Sequence, residues 1–408
     1  MTTVPVAGAN PALRAAPAVA TRWAYVWLLL ACGIGAAMQV GKVPPALGVL
    51  AQDLHLGLQT GAWVISMFSI VGATLGFLVG SLVERIGAQR AARLGLFGIA
   101  AASCAGSWAL LPWQLLLSRA LEGMAFVFVV VAIPSLLVAS ASESDRRFVP
   151  ALWGIYMPVG MALSLAGAQP ILHAYGWRVL WQMEAAVLTV LGLSLLLAPA
   201  PPPPLRSERA APALGVLARA VWQRGPLLLA AIFACYTVQY LAVMGFLPSI
   251  LQAEGASAQA AGVLSALAVM ANAAGNLSVG ALIARGARPR RLIAVACVVM
   301  LVAASGIYLP AAPASVRYVL VLILAGVGGL IPASIFALVP RVAPDRQSAA
   351  SVMGFVVQAS HLGQLAGPPA VAAVAAAAGG FQLSALVLMP AALCAWGAAR
   401  GLRRVSSS

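Results

Sequence analysis

The sequence predicts an all-α membrane protein in which twelve transmembrane helices form two pseudo-symmetric six-helix bundles. Composition, the number of apolar segments and an internal repeat support this prediction. Of the 408 residues, 62% are hydrophobic and 8% are charged, whereas ordinary soluble domains are about 25% charged. Twelve spans of about 20 residues need roughly 240 residues, which leaves the rest for tails, loops and a linker and no room for a soluble domain.

Apolar stretches of about the length of a bilayer span occur twelve times along the chain. The sequence predicts helices near residues 23–46, 59–82, 91–110, 114–138, 149–171, 177–198, 226–251, 258–283, 290–310, 316–339, 347–374 and 380–400.

A proline run at 201–204, followed by several arginines, separates the sixth segment from the seventh. Because a proline run cannot continue a helix, it predicts a spacer between two bundles. The predicted division is an N-terminal tail (1–22), an N-terminal bundle (23–198), a Pro/Arg-rich linker (199–225), a C-terminal bundle (226–400) and a C-terminal tail (401–408).

The two predicted bundles resemble each other at a constant offset of 200 residues. Gly80 and Arg85 match Gly280 and Arg285, and the Asp-Arg pair at 145–146 recurs at 345–346. A repeat after six helices restores the same topology, so the halves are predicted to be parallel repeats about an axis along the membrane normal.

The net charge of +15 comes mainly from arginines in every second connection. Such asymmetry places the arginine-rich connections in the cytoplasm. We therefore expect a multi-pass protein of a bacterial-type inner membrane with both termini cytoplasmic. This distribution excludes the nucleic-acid partner that the same charge would suggest for a soluble protein.

The connection after the second segment carries a short motif of glycine, acid and base: Gly80, Glu84, Arg85, Gly87 and Arg90. It resembles the signature loop of the major facilitator superfamily, with Glu84 in place of the usual aspartate. The resemblance implies a cytoplasmic gate in which Glu84 contacts the start of the eleventh helix and holds the inner side shut. The alternative is that these basic residues only set the topology.

Two shorter motifs bear on the branch of this family. Arg119 followed by Gly123 resembles its second motif, and the segment 245–251 is similar to the seventh helix of its cyanate and nitroimidazole-type transporters. The fifth segment lacks the Gly-Pro dipeptide of the drug and proton antiporters, which lowers the expectation of multidrug antiport.

Ionisable residues inside apolar segments are costly and are candidates for function. Lys42, the only lysine, precedes Pro44-Pro45, which we expect to kink the first helix; it could bind substrate or reach the membrane interface by snorkelling. Arg119 and Glu122 share a helix face, either as a self-satisfied pair or with Glu122 as the proton-coupling group. Glu184 is expected to pair with Arg178 or to lie at the interface.

If the first, fourth, seventh and tenth helices line the cavity, as the resemblance implies, polar residues on them are the candidates for binding substrate. A polar stripe on the eleventh segment supplies further candidates. The predicted substrate-binding residues are Gln39, Lys42, Arg119, Tyr236, Gln239, Tyr240, Gln358 and His361.

Lys42, Arg119 and Glu122 together carry one positive charge, which favours an anionic substrate. The sequence thus predicts a secondary active transporter that works by alternating access and takes up a small organic or inorganic anion by proton-coupled symport. The alternative is proton-coupled efflux of drugs or other amphipathic compounds. Expected partners are the substrate, protons and membrane lipid; the protein is expected to be monomeric.

We expect neither an enzyme nor a cofactor or metal. The five cysteines lie in different apolar segments without metal-ligand spacing, and the three histidines are far apart, so a membrane enzyme with a clustered site is disfavoured. A transport-inactive scaffold is disfavoured by the intact gate motif.

Overall fold

The computed structural model describes residues 20–146, 148–199, 220–344 and 348–405, and within these ranges the regular secondary structure is helical. At some helical positions, Gly80 and Glu84 among them, only the backbone is described. Most of the predicted N-terminal tail (1–22) and linker (199–225), and the last three residues of the predicted C-terminal tail (401–408), therefore fall outside the described residues, and the division into domains stays a prediction.

Six helices make up the N-terminal half. They are α1 (Trp23–Gly41 and Val43–Asp53), α2 (Leu58–Ser66, a 3-10 turn Met67–Ser69, and Ile70–Ile86), α3 (Ala88–Gly106), α4 (Pro112–Ser140), α5 (156–175) and α6 (177–197).

Six further helices make up the C-terminal half. They are α7 (Arg224–Ala253), α8 (Ala258–Ala284), α9 (Pro289–Ile307), α10 (Ala314–Gly328 and Leu330–Val342), α11 (Ala349–Ala378) and α12 (Ala385–Val405).

The prediction of twelve spans is confirmed. In the described ranges, nine helical runs are long and apolar enough to cross a membrane, and one of them, Trp153–Leu197, is broken at Gly176 and supplies both α5 and α6. Helices α3 and α11 complete the twelve. Gly176 has a φ of 78°, a left-handed conformation that glycine adopts without a steric penalty, so the chain can reverse there.

The first helix breaks where the sequence predicts a kink. Residues 44 and 45 are prolines at the start of the Val43–Asp53 segment, and proline supplies no backbone N–H for the preceding turn. Lys42 occupies the junction between the two segments. The break therefore sets the direction in which its side chain leaves α1.

Close helix contacts depend on small residues, as is common in membranes. At Gly123 of α4, an added Cβ would collide with the backbone carbonyl of Phe68 in α2, and at Gly329 of α10 it would collide with the carbonyl of Asn272 in α8. Within the N-terminal half, α1 packs on α5 and α3 on α4; within the C-terminal half, α7 packs on α11 and α12. These contacts form two six-helix bundles.

The two bundles meet along three helix pairs: α2 with α11, α5 with α8, and the Val43–Asp53 segment of α1 with α7. Since successive helices alternate in direction, their connections lie at two ends of the molecule. We call the end that holds residues 53–57 and 254–257 the Asp53 face, and the end that holds 85–88 and 285–288 the Arg85 face.

Candidate functional site

Lys42 lies at the centre of a buried polar cluster in the N-terminal bundle. Its ammonium donates hydrogen bonds to Gln39 Oε1 at 2.5 Å, Ser103 Oγ at 2.8 Å and Glu122 Oε1 at 3.0 Å, and lies 4.5 Å from the centre of the Trp181 ring. Because Lys42 has no solvent exposure, the snorkelling alternative is wrong. A buried ammonium needs such a complete set of partners.

Arg119 and Glu122 on α4 pair with each other, as their spacing predicts. Arg119 donates to Glu122 Oε2 and, through Nε, to the carbonyl of Val64 at 3.2 Å; its guanidinium lies 4.7 Å from the Phe68 ring centre. Since Lys42 takes the other oxygen, both oxygens of Glu122 accept from cations. Glu122 therefore bridges two positive charges, so Arg119 and Glu122 do not form the self-satisfied pair that was the alternative to a coupling role.

Glu184 on α6 belongs to the same cluster, contrary to the prediction. Its Oε2 accepts from Gln39 Nε2 at 3.0 Å and its Oε1 from Ser164 Oγ at 2.6 Å, and it is 3% exposed. The expected pairing with Arg178 is wrong, because Arg178 pairs with Asp53 at the Asp53 face. Among the described residues, the hydrogen-bond donors to Glu184 are these two neutral groups and no cation.

The cluster of Lys42, Gln39, Arg119, Glu122 and Glu184, the Lys42 network hereafter, joins α1, α4 and α6. With all four ionisable groups charged, its two cations balance its two carboxylates. The net charge is zero rather than the single positive charge that the sequence suggests. Each of the four ionisable groups lies within hydrogen-bond distance of another member of the network.

Sequence reasoning placed Glu184 outside the site because no residue near it in the chain is its partner. Gln39 lies 145 positions away and Ser164 lies 20 positions away. One signal was present: a carboxylate about two turns into an apolar segment is expensive in a membrane and by default functional.

The predicted residues of α7 form a separate cluster in the C-terminal bundle. The Tyr236 hydroxyl accepts from Asn272 Nδ2 at 2.8 Å, and the Tyr236 and Tyr240 rings stack with their centres 5.7 Å apart. Gln239 Nε2 donates to the Cys235 carbonyl, while its buried Oε1 has no partner in the described structure. Their role in substrate binding stays a prediction.

The polar stripe of α11 contacts α2 and so joins the two bundles. Gln358 Nε2 donates to the Ala73 carbonyl at 2.8 Å, and Gln364 Oε1 accepts from Ser69 Oγ at 2.9 Å. Between them the His361 ring lies against Gly72, where an added Cβ would come within 2.6 Å of the ring. The three residues share one face of α11, as their spacing predicts, and that face is an inter-bundle contact.

The motif after α2 forms the turn into α3 at the Arg85 face. Gly87 has a φ of 88°, which explains the need for glycine there, and Arg85 and Arg90 are exposed. The side chain of Glu84 lies outside the described structure, so the expected gate contact with α11 stays a prediction.

Residues 27–368 match the family model of the Major Facilitator Superfamily. Among curated proteins, the chain is 29% identical over 147 residues to the multidrug efflux pump LfrA of Mycolicibacterium smegmatis. It is 30% identical over 157 residues to the fatty acid resistance protein FarB of Neisseria gonorrhoeae. The matches cover 35% and 38% of this chain and 29% and 30% of those proteins, so the chain spans about a third of the relatives' length.

Solved structures match over nearly the whole fold. A bacterial homologue of the human lysosomal transporter Spinster, in an inward-facing and unoccupied conformation, superposes with a TM-score of 0.75 at 15% identity, over 93% of this chain and 98% of that one. The E. coli fucose:proton symporter FucP superposes with a TM-score of 0.64 at 16% identity, over 92% and 98%. The family match over most of the chain and the shared twelve-helix fold show that this protein is a member of the Major Facilitator Superfamily, a family of membrane transporters.

Proposed function

We propose that this protein is a proton-coupled exporter of amphipathic compounds that works by alternating access, with the Lys42 network as its coupling site. The observation that carries the proposal is a closed group of two carboxylates and two cations, all at most 3% exposed, inside one bundle of a transporter. The desolvation penalty of four buried charges can exceed the free energy that their ion pairs gain. We therefore infer that the charges are there for coupling rather than for stability.

The charge of the network supplies the coupling. With all groups ionised it is neutral, and one added proton makes it positive by one unit. When the network is positive, it repels a nearby compound that carries a positive charge. When the network is neutral, it does not. Proton and substrate therefore compete for the transporter, which is the requirement for antiport.

The relatives support export more than uptake. The matched proteins are named a multidrug efflux pump and a fatty acid resistance protein, and one more is named a puromycin resistance protein, from Streptomyces alboniger, at 27% identity over 180 residues. These names describe those proteins, and their transfer to this chain is part of the proposal.

Proton-coupled anion uptake is the second candidate. The charge argument for it weakens, because Glu184 cancels the excess positive charge of Lys42, Arg119 and Glu122. It keeps one point in its favour: the same protonation that would repel a cation would attract an anion, and Lys42 and Arg119 carry the donors to bind it.

For both candidates we propose that the two bundles rock against each other in the inner membrane of a bacterial-type cell, with the Arg85 face in the cytoplasm. The described hydrogen bonds between bundles, such as Ser69 to Gln364 and Gln358 to Ala73, would have to break and re-form in each cycle. A monomer suffices for this mechanism, since one chain contributes both bundles.

Reconstituted liposomes with an imposed proton gradient test the proposal. Ethidium serves as the amphipathic cation and benzoate as the small anion. Export predicts that ethidium moves against the direction of proton flow, whereas symport predicts that benzoate moves with it. Glu254→Gln, which removes an ion pair with Arg317 far from the network, should transport as the wild type does. If a proton gradient drives neither compound in wild-type liposomes, the proposal fails.

A further inference from the structure

We infer that Glu184, and not Glu122, is the group of the Lys42 network that binds the transported proton. This inference rests on the proposed proton coupling and goes beyond it by assigning the proton to one carboxylate. It also replaces the expectation from the sequence, which gave this role to Glu122. The difference between the two carboxylates lies in their hydrogen-bond donors.

Both carboxylate oxygens of Glu122 contact a cation. Lys42 Nζ lies 3.0 Å from Oε1, and Arg119 donates to Oε2, so neither oxygen is free to take a proton unless a cation first moves away. Protonating Glu122 would also remove the carboxylate that contacts both the ammonium and the guanidinium, and breaking a buried ion pair is strongly destabilising.

Glu184 can take a proton without separating any ion pair. Its two donors are the Gln39 amide and the Ser164 hydroxyl, both neutral. A hydroxyl can rotate and accept a hydrogen bond instead of donating one, so Ser164 can accept from a protonated Glu184. The amide of Gln39 cannot turn over as easily, because its oxygen accepts from Lys42 at 2.5 Å.

The charged groups near Glu184 are Lys42 from α1 and Arg119 and Glu122 from α4. The other elements packed around it contribute neutral groups, Ser164 from α5 and Ser103 from α3, which binds Lys42 and the Trp181 carbonyl. Only the proton is exchanged: a Glu184 oxygen takes it from water at one face of the membrane and returns it to water at the other.

Proton binding at Glu184 gives the network one positive charge. It also alters the hydrogen bond that Glu184 accepts from Gln39, and Gln39 in turn accepts a hydrogen bond from Lys42. The Gln39 side chain is the single described link between Glu184 and the ammonium. The coupling therefore crosses from α6 to the break in α1, the segment next to the contact with α7. A protonated Glu184 can thereby weaken the binding of a cationic substrate.

Infrared difference spectra of the detergent-purified protein between alkaline and mildly acidic pH test the assignment without any substrate. We expect the wild type to gain the C=O stretch of a protonated carboxyl group. Glu184→Gln should lose that band, Glu184→Asp should shift its frequency, and Glu254→Gln should keep it unchanged. A band that persists unchanged in Glu184→Gln and in Glu184→Asp would overturn the assignment. Because Glu184→Asp retains a carboxyl group, it keeps the test valid if the amide variant does not fold.

Ethidium binding gives a second readout. Glu184→Gln fixes the network at one positive charge, so it should bind ethidium about tenfold more weakly than the wild type at alkaline pH and with no further loss on acidification. Binding by this variant that keeps the wild-type pH dependence contradicts the assignment. The liposome experiment tests proton coupling with the wild-type protein and does not depend on which carboxylate binds the proton. The proposed function and this assignment can therefore fail separately.

Discussion

Gln39 Nε2 donates to Glu184 Oε2 at 3.0 Å, across 145 residues of sequence. The oxygen of the same amide accepts from Lys42 Nζ, so the orientation of the amide is fixed by the ammonium: turned over, it would bring its NH₂ group against a positive charge. One neutral side chain thus connects a carboxylate on α6 with a cation on α1.

Replacing Gln39 by leucine should disconnect Glu184 from the rest of the network. The variant leaves both a carboxylate oxygen and the ammonium short of one hydrogen bond, and we expect a loss of about 1–3 kcal/mol in stability. Thermal unfolding in detergent measures it. Gln182→Leu is the matched control, because Gln182 is exposed and its described side-chain hydrogen bond goes to Ser107 Oγ, away from the network; an equal loss in both variants would contradict the prediction.

Lys42→Met should destabilise the protein by about 3–5 kcal/mol, since it removes one partner of a buried ion pair. It also leaves the network with one excess negative charge. Adding Glu184→Gln restores neutrality, so the double variant should be less destabilised than the sum of the two single variants by about 0.5–3 kcal/mol. Unfolding midpoints of the four proteins measure the coupling, and strictly additive effects would argue against one electrostatic unit.

Gly72→Ala should disturb the contact between α2 and α11. The added methyl group would collide with the ring of His361, whereas a Cβ at Gly76 on the same helix face would meet only the Cβ of Gln358 at 3.9 Å. We expect Gly72→Ala to lower the unfolding midpoint by several degrees and Gly76→Ala to leave it nearly unchanged. Equal midpoints for the two variants would show that the His361 ring moves aside at little cost.

The orientation of the protein can be read from two engineered cysteines. Ala253 and Ala284 are exposed at opposite ends of the molecule, at the end of α7 on the Asp53 face and at the end of α8 on the Arg85 face. In a background without the native cysteines, a membrane-impermeant maleimide should label Ala253→Cys in intact cells and Ala284→Cys only after permeabilisation. This follows from the arginine-rich connections of the Arg85 face, and the reverse pattern would invert the topology.

Asp53, beyond the apolar part of α1, should give the stability a weak dependence on pH. Hydrogen bonds from Trp177 Nε1, at 2.8 Å, and from Arg178 hold its pKa below the usual range. Its ionised form therefore stabilises the fold above the unfolded pKa of about 4, and that stabilisation is lost as the pH falls through the lower folded value.

At neutral pH we consequently expect Asp53→Asn to lower the free energy of unfolding only slightly. The loss should be under about 1 kcal/mol, because the ion pair between Asp53 and Arg178 is partly exposed. The loss should shrink on acidification below about pH 4. Unfolding midpoints of wild type and variant across this range check it; a difference that grows towards acidic pH would show that the carboxylate acts in another way.

Features that depend on neighbouring residues could be predicted from the sequence. The span count and the break at Pro44-Pro45 follow from apolar length and from the missing N–H of proline, and the Arg119–Glu122 pair follows from a helical spacing of three. The turn at Gly87 likewise comes from a glycine in a short motif. Each of these requires only local geometry.

The composition of the charged network was decided by the tertiary structure. Lys42 donates to Glu122, 80 positions away, and Gln39 donates to Glu184, 145 positions away, because helices far apart in sequence pack side by side in one bundle. Arg178, the nearest cation along the helix to Glu184, turns instead to Asp53. The sequence by itself therefore determined a twelve-helix transporter with charges in its spans. Only helix packing decided which charges meet, since in a low-dielectric interior a buried charge is stabilised by the partners that packing brings to it and not by its neighbours in the chain.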